Sequence, residues 1–204
     1  MVAVRTLVEC LADTTAMELG EVVRHARYAR EACCISQGGR GRGAAQATSM
    51  DAAILLSLIA ADGDQKFAAK TIDKISAMEF NGGPELKQLI PEIGNNWIRH
   101  FENSHCFVDG VTFFIDKARR EVALFEERLR GSFITFEQST FNAQIYININ
   151  TNINTDGSYD PFPCNVNFEL CYCQCDYTKP PKLSRNCIID FAVLAKIAAV
   201  LNEK

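Results

Sequence analysis

The chain has 204 residues, of which 48% are hydrophobic, and this is enough to bury the core of one large domain or two small ones. Its formal net charge of −4 excludes a protein that coats nucleic acid through bulk positive charge. No apolar run reaches the ~20 residues of a membrane span, and the N-terminus has no signal-peptide pattern. We therefore expect a cytoplasmic protein that does not contact membranes, in which the nine cysteines are reduced.

The N-terminal third predicts three helices before a glycine-rich segment. The first covers residues 2–12, where apolar side chains recur at helical spacing. A helical pattern of apolar residues runs from Met17 to Cys34, and Gly20 interrupts it. We therefore expect a short second helix, a turn and a third helix over about 21–32. Opposite its apolar stripe, this third helix would carry Arg24, Arg27, Tyr28 and Glu31.

Residues 33–48 predict a β-hairpin. A short apolar strand begins at Cys33, the tip has the sequence Gly38-Gly39-Arg40-Gly41-Arg42-Gly43, and a second short strand continues to Thr48. Thr48 or Ser49 can cap the helix that follows. That helix is so apolar that we expect it to be buried, either within the subunit or between subunits.

The rest of the chain predicts helices and then strands. Helices are expected over 62–83, 85–101 and 107–130, with a boundary at Asn81-Gly82-Gly83-Pro84. After Gly131 the pattern alternates with a period of two, which predicts antiparallel strands over 132–137, 143–150 and 166–176, and a final helix covers 187–201. The predicted fold class is therefore α+β. Its parts are residues 1–62, a helical connector over 63–104, and an α+β domain over 105–204.

Positive charge is concentrated at one place in this acidic chain. Within residues 24–42, five arginines stand against the single acid Glu31. A helix fits the major groove of DNA, where arginine can bond to guanine edges, and a flexible tip can bring cations to phosphates or into the minor groove. Taken alone, the arginines on the helix could belong to an ordinary solvated face, and the glycine-rich segment could be an ordinary loop. The order and spacing of the two features along the chain favour DNA binding. The candidate DNA-binding residues are Arg24, Arg27, Tyr28, Arg30, Arg40 and Arg42.

The run from Tyr28 to Ala44 resembles the end of the recognition helix and the wing of winged helix-turn-helix regulators. A similar Gly-Gly-Arg-Gly-Arg-Gly-Ala wing followed by an Asp-Ala-Ala helix occurs in such regulators of bacteria and their prophages. The resemblance covers about residues 1–60 and implies a transcriptional regulator, a repressor that can control its own gene, acting as a homodimer on palindromic double-stranded DNA. The chain departs from the pattern at Cys33-Cys34-Ile35, where these regulators commonly have Gly-Leu-Ile.

No other residue pattern predicts chemistry. Cys171, Cys173 and Cys175 alternate along a strand, which favours buried small side chains over metal ligands. Cys106 with His100 and His105 lacks a third catalytic partner. We therefore predict no enzyme activity, metal or cofactor, and expect residues 105–204 to serve dimerisation, effector sensing or binding of a host or phage protein. The alternatives are a phage inhibitor of host defence (anti-CRISPR-like) that represses its own gene, a small-terminase DNA-packaging adaptor, and an enzyme with its site in the β-rich half.

Overall fold

The computed structural model describes residues 2–38, 44–61, 65–80, 106–121, 129, 131–138, 142–150, 165–173 and 186–203. These residues form a mixed α+β fold, as predicted. The helices are α1 (Val4–Thr15), α2 (Leu19–Glu31), α3 (Ser49–Ala61), α4 (Ala68–Ser76), α5 (Phe107–Arg120) and α6 (Phe191–Leu201), with a 3-10 turn at Gln65–Phe67. The strands are β1 (Glu79–Phe80), β2 (Phe133–Glu137), β3 (Asn142–Asn150), β4 (Asn165–Cys173) and β5 (Asn186–Asp190).

Helix α1 forms where its pattern predicts it. The four apolar positions at helical spacing are all buried, and the helix ends at Thr15 because Ala16 adopts a left-handed conformation with φ 53°. These buried side chains are Val4, Leu7, Val8 and Leu11. The regular spacing of the apolar residues is therefore sufficient to predict this helix.

Helix α2 corrects the prediction of two helices around Gly20. The chain turns earlier, over residues 16–18, and one continuous helix follows from Leu19 to Glu31. Gly20 lies in the first turn of this helix, and a Cβ placed on it would meet nothing within 4 Å. It is therefore tolerated on an exposed surface, and its propensity cost of about 1 kcal/mol is too small to end a helix held by tertiary packing.

The hairpin predicted over residues 33–48 also needs correction. Residues 33–38 form no strand, and the second arm pairs with the N-terminus through an antiparallel bridge between Ala3 and Gln46. Two backbone bonds flank the bridge, from Ala47 N to Val2 O at 2.8 Å and from Val4 N to Ala45 O at 3.2 Å. The extended residues before α1 therefore satisfy the backbone of this arm.

One antiparallel sheet contains all five strands, in the order β1-β4-β3-β2-β5. Strands β2, β3 and β4 lie within a few residues of their predictions. Strand β5 was not predicted, because its five residues continue directly into the apolar pattern of α6. The helix begins only after Asp190, whose side chain accepts a hydrogen bond of 2.8 Å from Ala192 N and so caps it.

Helices cover one face of the sheet and share a single hydrophobic cluster with it. Ile134 on β2 lies between Ile145 and Ile189, and all three are buried. The rings of Phe107 on α5 and Phe136 on β2 are 5.8 Å apart. Helix α1 packs against α6, and α3 packs against both α5 and α6. The predicted boundaries at residues 62 and 104 therefore do not separate independent cores within the described ranges.

Helix α3 is buried along almost its whole length, as its composition predicts. Every residue from Ser49 to Ala61 except Met50 is buried by the chain itself.

The predicted helix over 85–101 lies outside the described residues. The helix predicted over 62–83 is observed as the 3-10 turn and the shorter helix α4. The helix predicted over 107–130 is observed, within the described residues, as α5. Within the described ranges, no helix combines the length and the apolar character that crossing a membrane requires.

Candidate nucleic-acid interface

The two N-terminal helices are joined by a short turn of defined geometry. Helix α1 ends at Thr15 and α2 begins at Leu19, which leaves three residues between them. The first of these, Ala16, has φ 53°, so the chain reverses at once after α1. A turn of three or four residues also joins the two helices of a helix-turn-helix, which cross at about 90–120°.

Two of the predicted arginines lie at the centre of the solvent-exposed face of α2. The side chain of Arg24 is 51% exposed and its Nη2 lies 3.6 Å from Oε1 of Glu21. The side chain of Arg27 is 58% exposed and its Nε lies 3.4 Å from Oε1 of Glu31. Exposed pairs of this kind contribute only about 0–1 kcal/mol, so either arginine can exchange its carboxylate for a phosphate or a base edge.

Tyr28 and Arg30 lie on opposite flanks of this face. Tyr28 is half-buried and packs against the hydrophobic cluster, with the guanidinium carbon of Arg27 at 4.6 Å from the centre of its ring. This position supports Arg27 by a cation–π contact, and Tyr28 is less available to a ligand than the sequence predicts. Arg30 is exposed and faces the side of α2 that lies next to α1.

The end of α2 is closed by a Schellman motif at Cys33. This is the position at which the regulators that the sequence resembles commonly have glycine. Cys33 N donates to Arg30 O and Cys34 N donates to Ala29 O, both at 2.9 Å. Cys33 has φ 58°, the left-handed conformation that glycine adopts most easily. The chain therefore leaves α2 along the path that a glycine would give it.

Asp51 in the first turn of α3 holds both ends of the glycine-rich segment. It is 3% exposed, and its carboxylate accepts a hydrogen bond of 2.7 Å from Ser36 N and one of 2.8 Å from Thr48 N. Thr48 Oγ1 in turn accepts a bond of 3.1 Å from Asp51 N, which completes a capping box. Arg40 and Arg42 lie outside the described residues, but the chain on either side of them is fixed to α3.

A groove of about 480 Å³ separates the outer faces of α1 and α2. Leu19 and Val23 line it and are 48% and 49% exposed. Its other lining residues are Val4, Arg5, Val8, Glu9, Ala26, Arg27 and Arg30. Arg5 and Glu9 form an ion pair of 2.9 Å on the α1 wall.

Sequence reasoning did not single out the exposed Leu19 and Val23, because both belong to the apolar helical pattern from Met17 to Cys34. Val23 follows the fully buried Val22, and successive residues of a helix are rotated by about 100°. Val23 and Leu19 therefore lie beside the buried stripe rather than within it. A helical wheel of the whole segment from 19 to 31 would have shown this, but the turn expected near Gly20 divided it.

The alternative chemical sites gain no support from geometry. Cys106 caps α5, where burial raises the pKa of its thiol, so it is a poor nucleophile at neutral pH. Burial also raises the pKa of the Cys10 and Cys34 thiols. His100, His105 and Cys175 lie outside the described residues. Among the side chains that are described, no three His, Cys, Asp or Glu groups come together as metal ligands.

Comparison with known proteins adds no family to this description. No protein-family model, curated protein or solved structure matches the chain.

Proposed function

We propose that this protein is a sequence-specific transcriptional regulator that binds double-stranded DNA through a winged helix-turn-helix formed by residues 2–48. The observation that carries the proposal is the exposed face of α2, which presents Arg24, Arg27 and Arg30 in the helix that follows the three-residue turn. The chain order around it supports the same conclusion. An extended N-terminal segment, two helices and a returning arm that pairs with that segment follow one another.

Helix α2 would enter the major groove as the recognition helix. Arg24 and Arg27 would release Glu21 and Glu31 and bond to guanine edges or phosphates, since weak exposed ion pairs exchange readily for the dense charge of DNA. Tyr28 would hold the Arg27 guanidinium in place by its ring. Arg30, on the flank next to α1, would contact a phosphate.

The glycine-rich segment would act as the wing. Asp51 anchors the residues on either side of it to α3. Arg40 and Arg42 at the tip would contact phosphates or enter the minor groove. The glycines have no side chains, so they would allow the backbone to approach the DNA closely. The arginines between them would supply the positive charge.

The regulator would act as a homodimer that represses transcription, including that of its own gene. A single module of this size buries only about 600–1,000 Å² on DNA, which is too little for tight and selective binding. Two modules would occupy half-sites about 10 base pairs apart. A large ring of subunits in solution would instead favour a packaging adaptor, and the mass of the free protein by light scattering distinguishes the two.

The proposal is tested by the salt dependence of DNA binding. Wild type and the variant Arg24→Ala/Arg27→Ala/Arg30→Ala are titrated against a fluorescent duplex at several salt concentrations. We expect the slope of log K against log salt to weaken by about 0.9 for each arginine that contacts a phosphate. Because these side chains are exposed, melting temperatures should stay close to wild type.

Arg120→Ala is the matched control, since Arg120 is an exposed arginine on α5, outside the proposed interface. It should leave both affinity and slope unchanged. An equal loss per arginine removed in the control and in the triple variant would mean that binding is a bulk charge effect. Unchanged binding by the triple variant would exclude α2 as the recognition helix.

A further inference from the structure

Two large apolar side chains stand half-exposed on the flank of α2 that faces α1, beside the arginine face that we assign to DNA. Leu19 and Val23 lie in the first half of α2, four residues apart, and are 48% and 49% exposed. Residues at this spacing lie on the same side of a helix and are separated by about 6 Å along its axis. They therefore form one continuous apolar strip rather than two scattered contacts.

Cations flank this strip on both sides. Arg27 and Arg30 lie beside it on α2. Across the groove on α1, the side chain of Arg5 is 88% exposed and forms an ion pair of 2.9 Å with Glu9, which also lines the groove. An apolar floor between cations is complementary to the major groove, where phosphates form the rim and thymine methyl groups are the apolar feature of the base edges. In a recognition helix it is the N-terminal residues that contact these edges.

We infer that Leu19 and Val23 contact the C5-methyl groups of thymines, so that the protein selects A·T base pairs where the first half of α2 meets the major groove. This inference rests on the proposed function and deepens it. The separation of about 6 Å is close to the rise of two base-pair steps, about 6.8 Å in total, so the two side chains address thymines two steps apart. Arg30 contacts the phosphates on one side, and Arg5 contacts those on the other once it exchanges Glu9 for a phosphate.

The test replaces thymine by uracil, which pairs identically but lacks the methyl group. A duplex selected by wild type from a random library is resynthesised with one uracil at a time, and dissociation constants are measured. At one or two positions we expect binding to weaken about fourfold, the factor that corresponds to losing the burial of one methyl group, about 0.8 kcal/mol. Val23→Ala should bind the thymine and uracil duplexes equally at its position.

Arg30→Gln is the matched control, because it should weaken binding to both duplexes by the same factor and keep their ratio. Equal affinity of wild type for every thymine and uracil pair would overturn the inference while leaving DNA binding intact. Failure of wild type to select any duplex would overturn the proposed function itself. Loss of self-association in Val23→Ala without DNA would assign the strip to contacts between protein copies instead.

Discussion

Replacing Cys33 by glycine should stabilise the protein, because the backbone at this position already has the conformation that glycine prefers. Cys33 has φ 58° and is exposed, and its amide is part of the motif that closes α2. Placing a side chain in the left-handed region costs about 1–2 kcal/mol, whereas glycine adds about 0.5–1 kcal/mol of chain entropy to the unfolded state. The difference predicts a gain of about 0.5–1 kcal/mol in the free energy of unfolding.

The assay is thermal and urea unfolding of wild type, Cys33→Gly and Cys33→Ala under reducing conditions. A gain of this size raises the melting temperature of a chain of this length by about 1–4 °C. The alanine variant removes the thiol but keeps the Cβ, so it should remain close to wild type. If alanine and glycine have the same effect, the gain does not come from the backbone and the argument is refuted.

Three further substitutions test other parts of the structure. Ala16→Gly should stabilise the protein by a similar amount, since Ala16 has φ 53° in the turn after α1, and no gain in urea unfolding would contradict this. Asp51→Ala removes the buried acceptor of Ser36 N and Thr48 N, so unfolding free energy should fall by about 2–4 kcal/mol and Asp51→Asn should lose less. Arg119→Leu removes the bond of 3.1 Å to Ser49 Oγ and that of 3.4 Å to the last carbonyl of α6. We expect a loss of about 1–3 kcal/mol with faster amide exchange at the end of α6, and unchanged exchange there would count against it.

The parts of the fold that sequence predicts are those with a regular apolar pattern. Helix α1 and strands β2 to β4 follow from spacing alone, and the burial of α3 follows from its uniform apolar composition. Each of these depends on which residues must leave water, and that information is local. The α+β class follows from the same patterns.

The parts that sequence misses depend on contacts between distant residues. Strand β5 exists because β2 offers it a partner, and nothing local separates it from α6. The arm over residues 44–48 pairs with Val2 and Val4 rather than with residues 33–37, and only the folded position of the N-terminus decides this choice. Leu19 and Val23 look like core residues until the orientation of α2 is known.

The candidate site divides in the same way. A count of charges along the chain is enough to locate the basic segment and to name Arg24, Arg27 and Arg30. It does not show that Tyr28 is half-buried beneath Arg27, because that depends on how α2 packs against the core. Arg40 and Arg42 stay predictions from sequence.

A genome-wide footprint of the wild type beside the Arg24→Ala/Arg27→Ala/Arg30→Ala variant tests the central claim most directly. We expect wild type to protect discrete sites made of two half-sites about 10 base pairs apart, with one of them upstream of its own gene, and the variant to lose them. Protection of the same sites by the variant, or no discrete sites with wild type, would contradict the account.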